Sequence, residues 1–575
     1  MSTTRMNRRT FLKVSGQAAA VAVLGRTVLE VLGAGTSPAD LVLRNGPIVT
    51  VSDKLGVAEA MAVRGTSILA VGSDKEIARY IGARTKVVDL KGRSVSPGLI
   101  DAHSHPMPFG HMETRFVILR PPKVNSFDTL GQELAKAAAK IPKGEWIVGR
   151  GFNEFKEGRF PRRQELDKYV PDHPVLIIHW GGQFGVANTL ALQKADLLKA
   201  DAKDPYGAKY LRSRRDGLPD GVLIHYPAIY SVHEDRLTDE EYQKCATFAF
   251  ERFAQVGVTC IHDNFCMPAL ARLYVQMERA GRLPLRLRLY PYLANLEVCK
   301  RVLAARRPVA SDMLSVPGFK LAVDGYALMH DVPEDRRDMA IPMHPQDKFN
   351  TIIGEIHNAG LQADVHAVGD KGVDWTLEAF QKAAGSAQGV RKMRHRIEHF
   401  PFRKMDSIRK AADLGVPVCT QPALIDVRAD DFVRDFGRLG KQGKQLVETM
   451  VPLKTFQKEH VTACFGADVP AFPSYRPLDS IRCAMERKTP GGTQLDTGEA
   501  VSFLEALRMH TLESARAASD EEKLGSIEPG KQADLVVWNQ DLRKIQAAKD
   551  LTGLEVAATY VGGKAVYTTP GFKDA

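Results

Sequence analysis

The densest chemistry in the chain lies in Pro97-Gly98-Leu99-Ile100-Asp101-Ala102-His103-Ser104-His105, where an apolar run leads straight into His-x-His. An extended strand rises about 3.3 Å per residue and projects positions i and i+2 from one face, so these two imidazoles can converge on one metal ion. Surface His-x-His pairs are frequent, and the buried strand before this one is what sets it apart. Four further strand-like runs end in groups of the same kind. Lys320 is followed by Asp324, His366 stands in Val365-His366-Ala367-Val368-Gly369-Asp370, His399 closes Arg396-Ile397-Glu398-His399, and Asp468 closes Phe465-Gly466-Ala467-Asp468. Taken singly, His366 or His399 is equally well read as a hydrogen-bonded core histidine. As a set at corresponding strand ends, these residues predict one shared site.

Convergence of that kind needs a scaffold that gathers strand ends. The middle of the chain alternates strand-like and helix-like text, the βα signature of a parallel sheet. Eight strands are readable, at 98–103, 256–263, 285–293, 318–324, 361–366, 395–399, 416–421 and 461–468, with helical patterns at 240–255, 346–359, 373–384 and 405–414. Eight is the number a (β/α)8 TIM barrel needs, and barrel sites sit at the carboxyl ends of the strands. The fold class expected is therefore α/β, with a barrel over 97–520. The gap after the first strand is too long for one crossover, so 107–239 is read as an inserted lobe with strands at 146–149 and 175–178, capping the mouth. Short apolar runs between turn residues at 40–96 recur at 521–570, which predicts a small β-sandwich domain built from both termini.

Composition removes several alternatives. The 575 residues are 44 % hydrophobic and 26 % charged, which excludes disorder, collagen and a multi-span membrane protein. Of the formal charge of +11, +4 belongs to residues 1–35 and the rest is spread thinly; no run of five like charges and no zinc-finger, homeodomain or RNA-recognition signature is present, so no nucleic-acid partner is expected. The seven cysteines include no CxxC pair, which argues for small buried hydrophobes and against a disulfide framework. Residues 1–35 form a leader. Its Asn7-Arg8-Arg9-Thr10-Phe11-Leu12-Lys13 and the Ala/Val-rich run to Leu24 resemble a twin-arginine export signal, which implies the export machinery as a partner and a periplasmic or secreted location. Asn7 replaces the usual Ser, and Arg26 and Glu30 interrupt the apolar tail; the alternative is a frayed helix on a cytoplasmic protein. The leader is set aside in the fold reasoning.

From Asp40 to Tyr567 the text resembles the metal-dependent amidohydrolase superfamily, and within it family 3, the group that is N-substituted formamide deformylase-like. The most specific pieces are Pro97 to His105, Phe319-Lys320-Leu321-Ala322-Val323-Asp324-Gly325, His366 to Asp370, Arg396 to His399, Gly466-Ala467-Asp468-Val469-Pro470, and Leu524 to Asp534. The resemblance implies one or two divalent metal ions, zinc first among them. His103 and His105 would hold the more buried ion, and Lys320 would be a carboxylated lysine bridging to a second on His366 and His399. Asp468 would be both metal ligand and general base. It also implies a small-molecule substrate and a homodimer. The residue types suit this chemistry: imidazole and carboxylate are zinc ligands, and a lysine amine becomes one only as an anionic carbamate, which requires a depressed pKa. A zinc-bound water has a pKa near 7, and Asp468 would move its proton to the departing nitrogen.

The substrate-facing candidates are Asp324, His262, Gln183 and Gln421. His262-Asp263 ends the second strand and Asp324 lies just past Lys320, where a structural role is as good a reading. His395 is read as barrel core, and His111, His173, His179 and His225 as surface or loop residues of the lobe. The chain departs from the family pattern at the rim: Gln183 stands where relatives usually have His, Ala423 follows Gln421-Pro422, and Tyr326-Ala327-Leu328-Met329-His330 replaces a small-residue loop. The expected function is hydrolysis of an amide-like C–N bond outside peptides, with an unusual, more apolar leaving or acyl group. The alternatives are a cyclic imide, carbamate or ester on the same barrel, and a degenerate member that only binds a small molecule.

Overall fold

The computed structural model describes residues 37–572 apart from 154, 306–308, 326, 332–339 and 437–439. The leader at 1–35 and the loop departure at Tyr326 lie outside the described residues. Each strand expected in the middle of the chain has a counterpart: β1 (Leu99–Ser104), β2 (Val258–Cys266), β3 (Arg286–Pro291), β4 (Gly318–Ala322), β5 (Gln362–Ala367), β6 (Arg396–His399), β7 (Val418–Thr420) and β8 (Ala463–Phe465). They lie in two parallel sheets. One runs β1, β2, β3 with the short Leu314–Ser315 strand at its edge, and the other runs β4 to β8 in chain order.

The two sheets approach along both edges. Past β3, Tyr292 forms a parallel bridge with Lys320 on β4, and the Leu293 amide donates to the Lys320 carbonyl at 2.9 Å. Past β8, the Asp468 amide donates to the His103 carbonyl at 2.6 Å, and the His105 amide to that of Val469 at 2.9 Å. Parallel strands are covered on both faces, and every residue of β1, β4 and β6 is buried. The covering helices follow from their apolar spacing. α1 (Asp239–Gln255) starts at a Thr238/Glu241 capping box and buries Ala246, Ala249, Phe250 and Phe253. α2 (Gln346–Asn358) buries Phe349, Ile352, Ile353 and Ile356. α3 (Asp370–Ala384) and α4 (Met405–Leu414) repeat the pattern.

Strands from the two ends of the chain meet in one sheet, where Leu535–Trp538 runs antiparallel to Val95–Pro97 with Val536 opposite Ser96. A separate four-stranded sheet that includes Leu41–Arg44 and Ala60–Arg64 shares its apolar cluster, so that Leu43, Met61, Val88, Leu535 and Val537 pack together. Between β1 and β2 lies a six-stranded sheet containing Ile147–Phe152, Val175–His179 and Phe184–Ala187. All seven cysteines are buried and unbridged.

Asp534, at the end of a resemblance motif, fastens the terminal sheet to the parallel one. Its carboxylate receives Arg286 of β3 through Nε at 2.7 Å and Nη2 at 2.9 Å, and the Gly562 amide at 2.8 Å, while its carbonyl accepts from Gly98 at 2.7 Å. Both side chains are buried, so removing one partner strands the other charge, at about 3–5 kcal/mol. Asp534→Ala should lower the midpoint of thermal unfolding by several degrees; a midpoint equal to that of the parent would contradict the fastening role.

Candidate active site

The site is assembled at the carboxyl ends of the strands. Asp101 and His103 lie two residues apart on β1, and His105 follows at its end, ahead of the helix Pro106–Arg115. The Asp101 carboxylate accepts from the His103 amide at 3.1 Å, the Ala467 amide at 3.0 Å and Ser104 Oγ at 2.6 Å, which ties the end of β1 to the segment after β8. Burial pushes that carboxyl up to about 7 against these bonds. Gly466 is required where the two segments touch, because a Cβ there would lie 2.5 Å from His103 Cβ and backbone N. The turn then presents Asp468 in the left-handed region, φ 51°. Its Oδ1 stands 3.1 Å from His105 Nε2 and 3.5 Å from His103 Nε2.

On β6 strict alternation would send Glu398 and His399 to opposite faces. His399 instead has φ 78°, a conformation non-glycine residues hold only when their surroundings impose it, and so both reach the same interior. Glu398 accepts from His103 Nδ1 on one oxygen and from Arg396 Nε at 2.5 Å on the other. Arg396 also lies 3.2 Å from Asp364, donates to His262 Nδ1 at 3.0 Å and to the Ala102 carbonyl at 2.6 Å. Asp364 in turn takes Lys320 Nζ at 3.1 Å and Asn264 Nδ2. His399 is oriented by Gln421 Oε1 at 2.6 Å from its Nδ1, and His366 Nε2 lies 3.1 Å from the Gly325 carbonyl.

Three histidine rings therefore crowd together, His103 to His399 at 5.0 Å and His366 to His399 at 4.4 Å between centroids, with no hydrogen bond between them. Burial first, and Lys320 and the neighbouring imidazoles after it, hold His103 and His399 well below the ordinary imidazole range and His366 at about 3. The neutral ring is the form that ligates a metal. One nitrogen, one nitrogen and one oxygen from His103, His105 and Asp468 lie within 4.8 Å of one another, and His105 Nδ1 is buried without a partner. This donor set fits a divalent cation. A second grouping, His103, Glu398 and Cys419, is a hydrogen-bonded network: Glu398 is taken up by His103 and Arg396, and burial keeps the Cys419 thiol protonated.

Above these residues is a cavity of about 50 Å³ lined by His103, His105, Lys320, His366, His399 and Asp468, and roofed by Arg150, Gln183, Tyr226, Phe265 and Tyr292. A neighbouring cavity of about 70 Å³ shares Gln183, His366, His399 and Asp468, and its other walls include Trp180, Phe184, Leu424 and Phe472. The six expected ligands are thus brought together, and Gln183 faces both cavities. Three expected substrate contacts are placed elsewhere. His262 lies a level deeper, against Arg396, because β2 continues four residues past it. Gln421 is buried behind His399. Asp324 anchors a loop, accepting from the Leu328, Val368 and Gly369 amides at 2.8, 3.1 and 2.8 Å. His173, His179 and His225, read as surface or loop residues, are buried, whereas His395 is core as expected, bonded to His357 and the Ala363 amide. Asp101, Asp364, Arg396 and Glu398 were missed as organisers of the site. Their i, i+2 spacing to each other and to His103 and His366 was the available signal. The roof residues Arg150, Tyr226 and Tyr292 carried none.

A family model described as "Amidohydrolase family" matches residues 86–567. The chain is 28 % identical to Protein LONG AFTER FAR-RED 3 of Arabidopsis thaliana, over 92 % of each chain, and 26 % identical to N-substituted formamide deformylase of Arthrobacter pascens, over 93 % of this chain and all of the relative. An uncharacterized metal-dependent hydrolase from Pyrococcus horikoshii superposes with a TM-score of 0.69 at 23 % identity, covering 88 % of this chain and 98 % of the other; this likeness is one of fold.

Proposed function

Since this chain belongs to the amidohydrolase family, we propose that it hydrolyses an amide-like C–N bond in a small non-peptide compound, with Asp468 as general base. The observation that carries the reading is the convergence of His103, His105 and Asp468 in the wall of one cavity. His103, His105 and Asp468 would hold one divalent cation, zinc by donor chemistry, with Lys320 as a carbamate, His366 and His399 as the wider set. A cation bound there supplies Lewis acidity to the carbonyl and acidifies water. The remaining work falls to the chain itself. The Asp468 carboxylate takes a proton from the attacking water and delivers it to the departing nitrogen. Glu398 and Gln421 hold His103 and His399 by Nδ1, which leaves each Nε2 for the cavity. The roof excludes bulk water, and the larger cavity beside it accepts the apolar part of the acyl or amine group. We further propose that the two parallel sheets form one (β/α)8 barrel, supported by the hydrogen bonds along both of their edges, that the sheets at the two chain ends form a sandwich, and that residues 107–239 form the lobe over the mouth.

The test is metal analysis combined with a panel of paired amides and esters. About one or two equivalents of metal per chain, amide hydrolysis lost on chelation, and recovery with zinc are the expected results. Preference for esters or cyclic imides would replace the amide assignment, and full activity in the metal-free protein would overturn the mechanism.

A further inference from the structure

The geometry points to Arg150 as the recognition group for a carboxylate on the substrate, a deepening that rests on the hydrolase reading above. Arg150 lies in the strand Ile147–Phe152, and its side chain reaches the roof of the metal-ligand cavity. Four buried arginines elsewhere are saturated, and Arg163, whose Nε is also buried without a partner, is paired with Asp216 at 3.3 Å. Arg286 is paired with Asp534, Arg288 with Asp520, and Arg396 with Asp364 and Glu398, while Arg487 donates to the carbonyls of Met450, Val451 and Asp496. Arg150 has one weak bond, from Nη2 to the Trp180 carbonyl at 3.5 Å, and its Nε is buried without a partner. Among the described residues no carboxylate lies within ion-pair distance of it. A guanidinium carries five N–H donors and remains charged, so a half-buried one whose Nε is shut away from water without a partner is suited to completion by an anionic ligand.

The setting favours that completion. Arg150 stands where the metal-ligand cavity meets a second one of about 320 Å³, whose walls include Val148, Leu176, Ile178 and Ile229 together with Glu234 and Asp235. Gly182, at φ 73°, lets it approach: a Cβ there would lie 3.0 Å from Arg150 Nη2 and 3.2 Å from the Tyr226 ring. Beside it, Gln183 Nε2 donates to Tyr226 Oη at 2.8 Å, and Gln183 Oε1 is buried and free. A single planar fork matches a carboxylate in bidentate fashion. The substrate class this selects is an N-acyl amino acid or similar acidic amide, with its carbonyl over His103, His105 and Asp468 and its carboxylate on Arg150.

The experiment compares kcat/KM for N-acetyl-phenylalanine, both enantiomers, with that for N-acetyl-2-phenylethylamine, which lacks the carboxylate, in the metal-loaded parent, Arg150→Lys and Arg150→Met. The parent should favour the acid, the ratio should fall about 10- to 100-fold in Arg150→Met, and Arg150→Lys should recover part of it. A ratio unchanged in Arg150→Met, or a parent that favours the neutral amide, would overturn the proposal. If neither compound is hydrolysed, the hydrolase reading fails on its own account, and calorimetric binding of N-acetyl-phenylalanine decides the rest. A Kd weakened about tenfold or more in folded Arg150→Met supports the anion site, and equal Kd values, or no binding to the parent, refute it.

Discussion

Replacing Asp468 with asparagine is expected to lower kcat on an amide substrate by about 10³-fold or more, while the protein stays folded. The change is nearly isosteric. It removes the carboxylate whose Oδ1 lies 3.1 Å from His105 and 3.5 Å from His103, the group proposed above to take the proton from water. The backbone arrangement should survive, because asparagine tolerates the left-handed conformation at φ 51° as well as aspartate does, and the Asp468 amide bond to the His103 carbonyl does not involve the side chain. Steady-state kinetics with circular dichroism and metal content on the same preparation check this. A folded variant turning over within about threefold of the parent would remove Asp468 from the role of general base.

His103→Ala should leave the purified protein with less than about a tenth of the parent's metal and no measurable hydrolysis. His103 is the buried, fixed member of the donor set: its Nδ1 is held by Glu398, and its Nε2 lies 3.5 Å from Asp468. Its loss opens the site and leaves Glu398 with Arg396 alone, which is why the effect should exceed that of altering a group that only orients a ligand; such changes cost about 10- to 100-fold in metal affinity. Plasma-emission analysis after gel filtration reads the result. Retention of a full equivalent would show that the ion is held elsewhere.

Much of the architecture was legible because it is written in periodicity. Strand ends at His103, His366 and His399 and helices such as Met405–Leu414 follow from alternation and 3.6-residue spacing, and the pairing of the two chain ends follows from matching β texture, whereas β8 stops at Phe465 and leaves Asp468 in the turn beyond it. What escaped depends on backbone and topology. Nothing in Arg396-Ile397-Glu398-His399 announces the positive φ that carries His399 to the side of Glu398. The depth of His262 was misread because β2 runs on to Cys266 rather than stopping at Asp263. Gln421 looked like a substrate group because its partner, His399, lies on a neighbouring strand. His225 reads as a polar loop residue, yet it is fully buried with Nδ1 on the Gly207 carbonyl, 2.8 Å away. Arg150 and Tyr226, from the segment between β1 and β2, line one cavity with the strand-end histidines, a placement that spacing along the chain does not encode.

Diffraction data from crystals of the metal-loaded enzyme, collected on both sides of the zinc absorption edge, address the centre itself. An anomalous peak about 2.0–2.2 Å from a nitrogen of His103, a nitrogen of His105 and an oxygen of Asp468 is the expected outcome. A zinc-replete crystal whose peaks all lie elsewhere, with those three side chains hydrogen-bonded only to protein and water, would contradict it.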